Sequence, residues 1–153
     1  MKQLPSVVVA AVLWLWTNSV SAITCSIDSA SGVAFGTYDP TSAVALDTLG
    51  TLTYTCDDVG ILDLIVVQLS SGSSGTFLQR TMIQGADTLN YNLYRDSTRL
   101  LAWGDGTLGS VQLGPTSPSD GVPTSLNIYA RIPAQQNVPA GSYADTVTAT
   151  ILF

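Results

Sequence analysis

Beyond residue 22, apolar and polar residues alternate in short stretches, and no stretch carries the 3.6-residue periodicity of an amphipathic helix. Strict alternation puts every second side chain on one face of an extended strand, which suits half-buried sheet and argues against helix. The pattern predicts strands at Ile23 to Asp28, Gly50 to Cys56, Leu62 to Ser70, Phe77 to Gln84, Leu89 to Arg95, Ser110 to Leu113, Ser125 to Ile132 and Tyr143 to Phe153. Gly32 to Pro40 reads as a short edge strand ending in a turn at Asp39-Pro40. Turn-forming clusters separate these runs at Asp57 to Gly60, Ser71 to Gly75, Gly85 to Asp87, Gly104 to Gly106, Pro115 to Pro123 and Pro139 to Gly141. Turns every 8 to 12 residues or so are the spacing of a β-sandwich, so the expectation is one all-β domain over residues 23–153.

The amino-terminal stretch breaks this pattern. Lys2 precedes an apolar run from Val7 to Trp16, and the small-residue tail Ser19-Val20-Ser21-Ala22 follows. The run is about half of the roughly 20 apolar residues that a membrane-spanning helix requires. The expectation is a cleaved secretory signal over residues 1–22, an exported product, and no membrane span after cleavage. Loss of Lys2 takes the formal charge from −6 to −7 and leaves arginine as the only cation. That balance repels phosphate backbones and argues against a nucleic-acid partner.

Cys25 and Cys56 are the only cysteines, and the chain has no histidine or glutamate. A lone pair of cysteines in an oxidising compartment most simply forms one disulfide, and a two-cysteine metal site would want histidine or further thiolates. An enzyme would need a nucleophile with a base, paired acids or a metal cluster. The remaining aspartates, Asp57-Asp58 and Asp105 among them, sit in sequences that read as turns and lack the regular oxygen spacing of a calcium loop. Neither catalysis nor a cofactor is expected.

Two stretches invite a functional reading. In Tyr143 to Phe153 the odd-numbered residues share a face, and from Val147 onward that face (Val147, Ala149, Ile151, Phe153) is apolar. The given sequence stops there with no turn, so the strand needs either an earlier strand, such as the first, or a segment of another molecule to cover it. The second stretch, Leu89 to Asp96 with Leu101 to Gly106, is dense in aromatic and hydrogen-bonding side chains. Tyr91, Tyr94 and Trp103 could form a sugar-stacking surface, which would make the chain a self-contained secreted carbohydrate-binding module. The preferred reading is that Leu89, Tyr91 and Leu93 alternate inward as a core strand with Trp103 packed over the sandwich end.

Several segments together resemble the spore coat protein U domain family, which includes subunits of archaic chaperone-usher pili. They are Phe35 to Pro40, Gly50 to Cys56, Leu89 to Asp96, Trp103 to Gly106, Tyr129 to Gln135, and Ala140 to Val147 running on to Phe153. The resemblance implies an incomplete immunoglobulin-like sandwich lacking its final strand. A periplasmic chaperone lends a strand to the open groove, an outer-membrane usher assembles the product, and a neighbouring pilin subunit's amino-terminal extension replaces the chaperone. It further implies that Val147, Ala149, Ile151 and Phe153 lie along that groove and touch the chaperone strand. A donating extension needs on the order of ten residues at about 3.3 Å each, and little stands between the expected cleavage site and Cys25. The chain is therefore expected to accept a strand without donating one, as a tip, terminating or coat subunit of a structural or adhesive surface assembly. It would reach the cell surface or the extracellular space through the periplasm.

Overall fold

A computed structural model of the chain describes residues 22–153; the expected leader lies outside the described residues except for Ala22. Eight strands follow one another: β1 (Thr24–Ser31), β2 (Leu46–Asp57), β3 (Ile65–Leu69), β4 (Arg80–Gln84), β5 (Asp87–Tyr94), β6 (Leu113–Thr116), β7 (Thr124–Ile132) and β8 (Ala149–Leu152). They form a five-stranded sheet in the order β1-β2-β7-β5-β4 and a three-stranded sheet in the order β6-β3-β8. All named pairs are antiparallel. The architecture is the all-β, immunoglobulin-like sandwich expected. Among the described residues no helix is long and apolar enough to cross a membrane.

The two-residue periodicity produces the core directly. Leu52, Tyr54 and Cys56 of β2, Ile65, Val67 and Leu69 of β3, Leu89, Tyr91 and Leu93 of β5, and Ile128, Ala130 and Ile132 of β7 are all buried. Each set occupies alternate positions, so the inner faces of the two sheets meet. A Val, Leu or Ile side chain fully buried this way contributes roughly 1.5 to 3 kcal/mol. The β4–β5 hairpin closes from Gln84 to Asp87 through Gly85, whose φ of +58° suits a tight turn and would strain any side-chain-bearing residue.

Cys25 and Cys56 face each other in the β1–β2 register and form the expected disulfide. On the outer face, Asp47 of β2 lies opposite Arg131 of β7 and accepts two hydrogen bonds from its guanidinium, at 2.7 and 2.9 Å, while Arg99 approaches at 3.3 Å. The hydrogen bond from Arg131, against a smaller opposing effect of burial, holds the Asp47 carboxyl below its ordinary range.

Four sequence expectations shift. Gly32 to Pro40 forms no strand, because Gly36 adopts φ +73° and the stretch has no ladder partner. The strand expected at Phe77 begins only at Arg80, and the one expected at Ser110 to Leu113 lies at Leu113–Thr116. That second strand includes Pro115, which lacks an N–H and is tolerated because β6 is an edge. Of Tyr143 to Phe153, only Ala149–Leu152 is strand.

Candidate functional site

An open groove runs between residues 30–38 on one side and 138–149 on the other. It consists of two adjoining hollows, with cavity volumes of about 480 and 420 Å³, which share Val33, Phe35, Met82 and Tyr143. Leu52, Leu69, Leu93 and Ile128 from both sheets floor the second hollow. The first wall is held down at three points. Tyr38 donates its hydroxyl to Pro133 O (3.0 Å) and accepts from the Gln136 N–H (2.7 Å). Phe35 meets Tyr91 edge-on, with ring centroids 6.0 Å apart. Val33 crosses over Gly50 so closely that a Cβ there would sit 2.9 Å from its Cγ2, which is why a glycine interrupts β2.

The second wall leads into β8. The Ser70 N–H donates to Thr148 O at 2.8 Å, and the same register continues as Leu69 opposite Ala149 through Val66 opposite Leu152. In an antiparallel pair, successive residues turn their main-chain groups alternately toward and away from the partner. Thr148 faces β3, so the N–H and C=O of Ala149 and Ile151 point the other way. No strand is hydrogen-bonded to β8 on that side among the described residues; β1, of the other sheet, comes near it without pairing. A free main-chain edge therefore runs beside an apolar hollow. Val147 and Ala149 line the hollow, Ile151 packs on the core beyond it, and Phe153, 61% exposed, lies past the end of the strand.

The polar side chains beside the second hollow are tightly organised. Asp145 accepts from the Ser73 N–H (2.9 Å) and hydroxyl (2.6 Å), and from the Tyr91 hydroxyl (2.7 Å). Burial alone would raise the Asp145 carboxyl, but hydrogen bonds from Ser73, Tyr91 and Thr146 outweigh it and hold the group below its usual range. Burial, followed by the bond to Asp145, pushes the Tyr91 phenol well above its ordinary value. Sequence reading missed Arg80, which has no exposed surface although it is charged. Its guanidinium donates to Ser70 O (3.1 and 2.7 Å), Trp103 O (2.7 Å) and Asn92 Oδ1 (2.8 Å). The only sequence signal for this was a cation on the inward, Met82-bearing face of an alternating run.

The aromatic residues proposed to bind sugar do not form a surface. Trp103 is completely buried, donates its indole N–H to Val67 O (3.1 Å), and carries the Arg95 guanidinium 4.9 Å above its ring centroid. Tyr91 is 5% exposed, and Tyr94 is half-buried. Stacking needs an open ring face, so the carbohydrate-binding reading is corrected: this is the inward-alternating core strand with Trp103 packed between the sheets. Asp105 is a turn residue, accepting from the Thr107 N–H (2.8 Å) and hydroxyl (2.6 Å). Among the described residues no three His, Cys, Asp or Glu side chains gather as a metal site.

With this geometry in place, three comparisons bear on kinship. The Spore Coat Protein U domain model matches residues 13–150. Protein U of Myxococcus xanthus is 40% identical over an alignment 145 positions long that covers 84% of this chain and 77% of that protein. The fold is similar to a chain in the crystal structure of the CsuC-CsuE chaperone-tip adhesion subunit pre-assembly complex, from archaic chaperone-usher Csu pili of Acinetobacter baumannii. That likeness has a TM-score of 0.53 at 22% identity and covers 86% of this chain but 40% of the solved one, so it speaks for the fold alone. By its sequence the chain belongs to the Spore Coat Protein U domain family.

Proposed function

We propose that this chain is a structural, non-enzymatic subunit of a cell-surface coat or pilus, assembled in the manner of chaperone-usher systems. In this reading it accepts a partner's β-strand along the free edge of β8. The observation that carries it is the meeting of that edge with the mainly apolar hollow lined by Val147 and Ala149, which a second hollow adjoins. An incoming strand would gain main-chain hydrogen bonds from Ala149 and Ile151 and would place alternate side chains in the hollows, which is the physics of strand addition. Each large donor side chain buried contributes roughly 1.5 to 3 kcal/mol, against association costs on the order of 4 to 15 kcal/mol. Several are needed for a stable joint, and a groove with two hollows offers room for several.

Family membership supports the reading, as does fold similarity to a chain from a chaperone–subunit complex. The proposed partners are a periplasmic chaperone, an outer-membrane usher and a neighbouring subunit, and the route runs through the periplasm to the surface after loss of residues 1–22. Val147 and Ala149 are the proposed strand contacts within the groove, with Ile151 and Phe153 further along the same edge. The test is periplasmic expression with and without a chaperone-usher-class chaperone from the same genome. The expected result is a soluble one-to-one complex with the chaperone and little soluble chain without it. A monodisperse, cooperatively folding monomer made without a chaperone would overturn the proposal.

A further inference from the structure

The segment Ala140 to Val147 contains a stretch that no sheet ladder holds. Ala144 exchanges main-chain hydrogen bonds with Ile83 of β4 (2.8 and 3.2 Å), in the five-stranded sheet. From Thr148 onward the chain pairs with β3, in the three-stranded sheet. Residues 145–147 thus cross from one sheet to the other beside the groove, and side chains fix their position. The Asp145 carboxylate is gripped by Ser73 and by Tyr91, as described above. Gly72 has φ +65°, and a Cβ at that position would strike the carboxylate, so only glycine lets the 70–75 loop close around it.

That loop is in turn anchored from the core. Arg80 holds Ser70 O with two guanidinium N–H groups. Ser70 then grips Thr148 from both sides: its N–H donates to Thr148 O (2.8 Å), and its hydroxyl oxygen accepts from the Thr148 N–H (2.9 Å). The chain of contacts runs from a buried guanidinium, through a surface loop, to the wall of the groove.

We propose that Asp145 is a positioning residue of the strand-accepting groove: through Ser73 and Tyr91 it clamps the crossing at 145–148 and presents the free edge of β8 already aligned. The inference rests on the strand-acceptor reading above. An edge held in its bound shape loses less conformational freedom on binding, so a captured strand stays longer. The carboxylate faces Ser73 of the loop, Tyr91 of β5 and the positive charge of Arg80 from β4. Because Asp145 is held ionised below the ordinary aspartate range, its clamping is complete above about pH 4 and weakens, to about that of a neutral amide, as pH falls through the depressed value.

The test loads the disulfide-intact mature chain by exchange from its soluble chaperone complex with a fluorescent synthetic peptide of about twelve residues alternating valine or isoleucine with threonine, and follows release of that peptide. Asp145→Ala is expected to release the peptide on the order of tenfold faster at neutral pH. Asp145→Asn, whose amide oxygen still accepts from Ser73, should stay within about threefold of wild type. As pH falls below about 4, wild-type release should accelerate toward the Asp145→Asn rate, whose own profile stays flat. Wild-type release from a folded Asp145→Ala variant overturns the clamp alone. If Asp145→Ala fails to fold, coincident pH profiles of wild type and Asp145→Asn overturn it. A wild-type chain that never holds the peptide overturns the strand-acceptor reading, and the clamp with it.

Discussion

Removing the disulfide as a pair, Cys25→Ala with Cys56→Ala, tests what holds the first wall of the groove. The double change avoids leaving a stray thiol or a hydroxyl at Cys56, which is fully buried. The bridge closes a sequence separation of 31 residues, for which the chain-entropy relation gives about 3.7 kcal/mol of stabilisation at 25 °C. With urea m-values of about 1 to 3 kcal/mol/M, the midpoint should fall by roughly 1 to 4 M. Fluorescence of the buried Trp103 reports the transition. A local effect should accompany it, because every residue of β1 except Cys25 is exposed. Without the bridge, β1 is an edge strand held chiefly by its ladder to β2, so amides 24–31 should exchange ahead of the rest of the domain. A midpoint lowered by less than about 0.3 M, with unchanged exchange in β1, would refute the reasoning.

Two further outcomes are expected. Trp103→Ala should cost about 3 to 5 kcal/mol in thermal or urea unfolding, because it empties a fully buried site and strands Val67 O; a cost under about 1 kcal/mol would contradict the packing described. Asp96 accepts from the Thr98 hydroxyl and from the Leu101 and Leu100 N–H groups, which hold its carboxyl down to about 2; carbon-detected NMR titration near the ordinary aspartate value of about 3.9 would contradict that turn.

How much of this the sequence disclosed depended on whether the deciding physics was local. The core was legible because period-two alternation in β2, β3, β5 and β7 translates directly into inward faces. The disulfide was legible because two cysteines in a chain expected to be exported leave one simple outcome. For Trp103 the sequence favoured packing over an exposed ring but could not name what covers it, since the partner lies in the other sheet; here β3 supplies Val67 O and the cover. Tyr143 to Thr148 alternates like a strand, yet its main chain divides between two sheets through Ile83 and Ser70, partners distant in sequence. The wall at 32–38 likewise depends on Tyr38 reaching Pro133 and Gln136. Asp145 lay within a recognisable motif, but its role emerges only when Ser73 and Tyr91 converge on it.

The fate of the arginines has a consequence for how copies of this domain meet. Arg80 is sealed in the core, Arg131 and Arg99 are committed to Asp47, and Arg95 lies across Trp103. Every cation among the described residues is thus engaged within the fold, while the chain carries eleven aspartates. At neutral pH the far field of each molecule is that of a plain polyanion, felt over about 8 Å at physiological ionic strength. Two copies therefore repel as they approach, and no cationic patch steers them together. Attraction between them can begin only at contact range, where main-chain hydrogen bonds and apolar side chains act.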